Sequence, residues 1–136
     1  MSGVKDLKIR TKEFAVRIMK LYRSLPAGEE CRVLGKQLLR SGTSVGANYR
    51  AACRARSKAE FVAKIGIVLE ETDETAFWLE LLIDGGLMSG EKLGNLLQEA
   101  NELSSIFVTS LRTAKRNFFL NGTSDLLHKP ANYGKN

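Results

Sequence analysis

The sequence predicts an all-α fold, an up-down-up-down antiparallel four-helix bundle. Three observations lead to it. Apolar residues recur at three- or four-residue spacing through long segments, the signature of amphipathic helices. Only two prolines, Pro26 and Pro130, punctuate 136 residues. The turn clusters and β-branched alternation that a sandwich or barrel needs are missing from the middle of the chain. A hydrophobic content of 43% suffices for one ordinary core. A single domain is therefore expected, with the bundle over residues 1–120 and a flexible tail over 121–136, where periodicity fades.

The first helix is marked by Leu7, Thr11, Phe14, Ile18, Leu21 and Leu25, and it stops at Pro26, which disfavours helix in the residue before it. The second depends on how RSGTSVGANYR at residues 40–50 is read. Gly42-x-x-x-Gly46 is not followed by Lys-Ser/Thr and no strand precedes it, so it fails the pattern of a phosphate-binding loop. On a helical wheel, Leu34, Leu38, Ser41, Val45, Tyr49 and Ala52 fall on one side, and that stripe runs through both glycines. One unbroken rod over about residues 32–57 is expected. Its small residues forfeit about 3 to 4 kcal/mol of helix propensity against alanine. Dispersion contacts with a closely approaching backbone must return that amount, and Asn48 near the buried edge must find partners for its amide.

Ser57 with Glu60 three residues on reads as a capping box for the third helix, followed by Phe61, Ile65, Val68, Leu69, Thr72, Ala76, Leu79 and Ile83 on one face. Asp84-Gly85-Gly86 ends it. The fourth begins after Ser89 and carries Leu93, Leu96, Leu97, Ala100, Leu103, Phe107, Leu111, Ala114 and Phe118, closing at Asn121-Gly122.

Charge is segregated by helix within a net +6 and a pI near 9.5. Residues 4–24 sum to +5, 29–57 to +4, 58–84 to −5, and the stretch from Arg112 onward to +4. On the wheel of the second helix Arg32, Lys36, Arg40, Arg50, Arg54 and Lys58 form one stripe opposite the core. Like charges at i,i+4 repel by a few tenths of a kcal/mol, so the stripe is a candidate site for an RNA or DNA phosphate backbone; a solvated face is the plain alternative.

The third helix offers a rival partner for these cations. Its outer side holds Ile67, Glu70, Glu74, Phe77, Trp78 and Leu81, with Asp73 and Asp84 beside them. Apolar patches rimmed by charge are typical of interfaces, so a homo-oligomer is expected in which this acidic helix meets a basic helix of the next subunit. In an isolated bundle Trp78 and its neighbours would stand in water.

Catalysis is not expected. His128 is the one histidine, in the expected tail, and Asp125-x-x-His128 occurs once where a di-metal bundle needs two such pairs. No catalytic triad can be assembled without that residue. Cys31 and Cys53 stand alone and are expected to be free thiols. No cofactor, metal or small-molecule substrate is implied. The charged N-terminus carries no signal-peptide core and no run is long enough to span a bilayer, so a cytoplasmic protein without a membrane partner is expected.

Gln37-Leu38-x-Arg40-Ser41-x-x-Ser44-Val45-x-Ala47-Asn48-Tyr49, Ser57-Lys58-x-Glu60-Phe61 and Glu71-x-x-Glu74-Thr75-x-Phe77-Trp78-Leu79-x-Leu81-Leu82 together resemble the bacterial four-helix-bundle proteins encoded in intervening sequences of 23S ribosomal RNA genes. The resemblance covers the second and third helices closely and the other two by pattern. It implies a homopentameric ring and kinship with the accessory proteins of diversity-generating retroelements, basic pentamers that bind nucleic acid and a reverse transcriptase. The sequence departs from the family at Ala51, where many members carry Glu, which removes any ion pair made through that carboxylate.

Overall fold

The computed structural model describes residues 6–121, with side chains through residue 117. It contains four helices: α1 (Leu7–Ser24), α2 (Glu29–Cys53), α3 (Lys58–Asp84) and α4 (Gly90–Asn121). The expected tail beyond Asn121, with Asp125 and His128, lies outside the described residues, as does the start of the chain before Asp6.

Each boundary has a local cause. Asp6 caps α1 by accepting from the Lys8 amide at 2.8 Å, and Leu25 leaves the helix in an extended conformation ahead of Pro26. Gly28, at φ 136°, makes the turn into α2, a conformation that side chains with a Cβ rarely adopt. Glu29 and Glu30 then occupy the first turn, where the helix dipole favours acids. Ser57 caps α3 through its Oγ, 3.0 Å from the Glu60 amide, while the Glu60 carboxylate reaches back to the Arg56 amide. Beyond α3, Gly86 adopts φ 77° and the amides of Leu87 and Met88 both donate to the Leu82 carbonyl at 3.0 Å, folding the chain into α4.

The second helix is unbroken through Gly42 and Gly46, as its stripe predicts, but it ends at Cys53 rather than near residue 57. Arg54 caps it at φ −103°, ψ 11°, and Ser57 is extended at φ −148°, ψ 163°. A residue serving as N-cap of α3 cannot also continue α2, so residues 54–57 form the turn between them.

Consecutive helices run antiparallel. A Cβ at Gly35, Gly42 or Gly46 would meet Leu25, Ile18 or Thr11 in turn, so numbers rise along α2 as they fall along α1. Gly46 faces Thr11 main-chain oxygen at 3.3 Å from that Cβ position, which means backbone against backbone. On the other side of α2, the hydroxyl oxygens of buried Ser41 and Thr75 stand 3.0 Å apart, and α3 meets α4 through Ser104 donating to Asp73 at 2.9 Å. Phe14, Ile18, Leu38, Val45, Val68, Leu79, Leu103 and Phe107 fill the space between. Asn48 gives its amide N–H to the Ser44 carbonyl at 2.9 Å, and no side-chain nitrogen or oxygen is buried without a partner among the described residues.

The seam between α1 and α4 is the loosest, and a polar clamp closes it. Arg10 donates through Nε and Nη2 to the two oxygens of Glu99 at 2.7 and 2.9 Å and through Nη2 to Glu102 at 2.9 Å. The geometry is the bidentate fork of the stronger guanidinium–carboxylate pairs, and the bonds to Glu99 raise the Arg10 pKa above its ordinary value.

The glycines differ in what they permit. A Cβ at Gly42 would stand 2.7, 2.9 and 3.1 Å from three atoms of Ile18, a β-branched side chain that cannot swing aside; at Gly66, within α3, it would meet nothing within 4 Å. Gly42→Ala is expected to lose about 1–2 kcal/mol, overpacking outweighing the helix-propensity gain. Gly66→Ala should gain about 0.5–1 kcal/mol. Urea denaturation of the two variants checks the pair, and equal midpoints would contradict the close-approach role of Gly42.

Candidate nucleic-acid and assembly interfaces

The residues expected to form one cationic stripe fall in three settings. Arg32, Lys36, Arg40 and Arg50 are exposed on α2; Arg54 is its C-cap, and Lys58 opens α3 beyond the turn. The six-residue stripe is therefore corrected to four residues on the helix plus two at the end of the bundle. Two of the four are already neutralised within the chain. Arg40 donates to Glu71 at 3.2 Å and also pairs with Glu74, both on α3, and Arg32 pairs with Glu29.

What the structure brings together instead is a basic pole. The α2–α3 turn and the far part of α4 lie side by side: an open cleft of about 480 Å³ is lined by Arg56, Ser57, Lys58 and Phe61 on one side and Ala114 and Asn117 on the other. Arg50, Arg54, Arg56, Lys58, Lys64, Arg112, Lys115 and Arg116 lie there with Glu60 the one acid in the same segments, a balance of +7 over residues 50–64 and 112–117, and Asp6, the N-cap of α1, nearby. The opposite end, residues 23–32 and 80–92, carries Arg23, Arg32 and Lys92 against Glu29, Glu30, Glu80, Asp84 and Glu91, a balance of −2. None of the eight pole cations forms an ion pair among the described residues. The excess charge after Arg112 was visible in the sequence; that it lies beside the α2–α3 turn follows only from the α3–α4 register.

The outer side of α3 is divided. Phe77 is 49% exposed and Ile67 37%, while Glu70 is exposed. Trp78 is half-buried against the core rather than left in water, its Nε1 donating to Glu74 at 3.0 Å and its ring edge-on to Phe77 at 5.1 Å; Leu81 is likewise half-buried. Sequence reasoning missed a complementary face on α1. Ile9, Val16 and Met19 are 40–51% exposed, on the side opposite Phe14 and Ile18, with Lys12, Lys20 and Arg23 among them. The spacing of those apolar residues was available as a second, weaker stripe.

Cys31 is buried and Cys53 exposed, both free thiols. Among the described residues no group of His, Cys, Asp or Glu is arranged to hold a metal ion, and no helix is long and apolar enough to cross a membrane.

Comparison with known proteins converges. The family model described as "23S rRNA-intervening sequence protein" matches residues 5–109. A crystal structure described as a protein of unknown function from the S23 ribosomal protein family of Bacteroides thetaiotaomicron VPI-5482 is 40% identical in sequence and superposes with a TM-score of 0.73, covering 78% of this chain and 98% of that one. No curated protein matches.

Tyr49, beside the pole, provides a probe of this end of the bundle. Burial first, then the Cys53 thiol and the Asp6 carboxylate, push its phenol up to about 12. A raised pKa means the neutral phenol is favoured by folding, so this contribution is intact below pH ~10 and is lost as pH climbs through about 12. Absorbance titration should show a late phenolate step at about pH 12 that Tyr49→Phe abolishes, and wild type should lose more stability than Tyr49→Phe over that window.

Proposed function

The chain belongs to the 23S rRNA-intervening sequence protein family, and we propose that it is a non-enzymatic, cytoplasmic scaffold that assembles with copies of itself and carries RNA or DNA on its cationic surface. Assembly seats the acidic outer side of α3 on the basic outer side of α1 of the next copy. The observation that carries this reading is the matched pair of exposed faces: Ile67 and Phe77 beside Glu70 on one, Ile9, Val16 and Met19 among Lys12, Lys20 and Arg23 on the other.

Exposed apolar residues in water cost free energy that contact removes, and opposite charge at the rim sets orientation and register. Two different patches that fit each other make a head-to-tail contact, which closes into a ring when the rotation allows. A ring of five subunits is the assembly that the family resemblance leads us to propose. A reading with assembly alone, in which every cation meets a neighbour's carboxylate, leaves the pole unexplained, because Glu71 and Glu74 already serve Arg40 of their own chain.

Phe77→Glu tests assembly more cleanly than a change at Trp78, which also packs against the core. By light scattering after gel filtration, Phe77→Glu is expected to give a smaller particle than wild type with unchanged helicity. The same mass for both proteins would remove the α3 face as an interface.

A further inference from the structure

We infer that the pole formed by the α2–α3 turn and the far part of α4, rather than the length of α2, is the surface that receives a nucleic-acid phosphate backbone. This rests on the nucleic-acid half of the reading above and assigns its place and mode.

The distribution of neutralised and unneutralised charge carries the assignment. Along α1 and α2 three cations are answered within the chain, Arg10 by Glu99 and Glu102, Arg32 by Glu29 and Arg40 by Glu71 and Glu74, while Lys12, Arg17, Lys20 and Lys36, in no ion pair among the described residues, are spread along the helices rather than gathered. At the pole Arg50, Arg54, Arg56, Lys58, Arg112, Lys115 and Arg116 are all exposed, and Lys64 is half-buried. The one acid within these segments, Glu60, turns its carboxylate to the Arg56 backbone amide. Holding so many like charges together costs repulsive energy that a polyanion converts into attraction. The dipole of α3 adds positive potential at the same end, since its first turn lies in the cleft.

The mode follows from what accompanies the charge. Phe61, the aromatic residue lining the cleft, is half-buried, so among the described side chains no exposed ring at the cleft offers the stacking platform that single-strand binders use. Nor does any of the exposed apolar residues that could anchor a membrane surface, Ile9, Val16, Met19, Val33, Ile67 and Phe77, line the cleft. Arg56 and Lys58 on one wall of an open cleft, with Arg112, Lys115 and Arg116 on the α4 segment whose Ala114 and Asn117 form the other, are suited to phosphates on a continuous backbone, contacted without regard to base identity.

The test is a titration of the full-length protein with fluorescein-labelled duplex DNA and duplex RNA over a range of sodium chloride. Three proteins are compared: wild type, a pole variant (Arg56→Gln, Lys58→Gln, Lys115→Gln, Arg116→Gln) and a helix variant (Arg32→Gln, Lys36→Gln). For duplex DNA the plot of log affinity against log salt should be linear, and the pole variant should flatten its slope by about 0.9 per contact removed, about 3 to 4 in all. The helix variant should stay within about twofold of wild type throughout, having removed no backbone contact. Each half of the pole variant, Arg56→Gln with Lys58→Gln or Lys115→Gln with Arg116→Gln, should lose about half of that slope change, which keeps the test valid should the fourfold variant fold poorly. A helix variant as impaired as the pole variant overturns the location while leaving nucleic-acid binding intact. Wild type that binds neither duplex at about 50 mM salt overturns both. Polyglutamate that displaces the duplexes charge for charge assigns the pole to an acidic protein partner and overturns the choice of nucleic acid.

Discussion

The close approach of α1 to α2 is the constraint on which the other packing relations depend. Gly42 and Gly46 let Ile18 and the Thr11 backbone occupy space that any side chain would fill, and Ser41, one residue away from Gly42, turns to α3 instead. A single helix thereby offers two small-residue surfaces to two neighbours. Its poor helix propensity, about 3 to 4 kcal/mol against alanine, is offset because these contacts form only when the rod is continuous. The buried hydroxyls on these surfaces add no unpaired group: Thr11, Thr72 and Thr75 each donate to a main-chain carbonyl one turn earlier at 2.7 Å.

Once the helices are fixed in this register, the charges sort themselves. Arg40 projects from α2 where Glu71 and Glu74 pass on α3, so the most acidic helix is partly discharged inside its own chain. Glu74 also accepts from Trp78, tying the ring to the same cluster. These pairs are substantially exposed, with Arg40 at 48%, so their contribution to stability is small, of order 0–1 kcal/mol. Their larger effect is on where unneutralised charge is left: the outer side of α1, and most densely the α2–α3 turn with the neighbouring part of α4.

Much of the fold was legible in the sequence. The stripes of α1, α3 and α4 hold the buried Thr11, Phe14, Ile18, Ile65, Val68, Leu79, Leu103 and Phe107, with half-buried residues such as Phe61, Leu69 and Leu97 at their edges, and the Ser57–Glu60 cap falls where it was read. The same cap contained the information that α2 could not reach residue 57, because an N-cap residue is extended. A wheel drawn at 100° per residue continues through a break without registering it, and that is how Arg54 and Lys58 entered a stripe they do not share. The ion pairs of Arg40 were not legible for another reason: a helical wheel gives direction but no axial register between two helices. Trp78 illustrates a third limit, since its Cα faces outward while its long ring lies back over the core.

In a ring built on the α1–α3 pairing, rotation about the axis carries each copy's pole to the same height, so the excess positive charge gathers at one level of the assembly. That arrangement sets assembly and anion binding in opposition or in concert depending on what is present. In such a ring the poles would repel one another without a polyanion; with one bound, the repulsion would be screened and several poles would share a single backbone at high effective concentration. Whatever raises the affinity for the polyanion on assembly must by the same factor raise the tendency to assemble once it is bound. In such a ring the exposed Ile67 and Phe77 on the side of the bundle and the cations at its end would not be independent features, although no side chain links them directly.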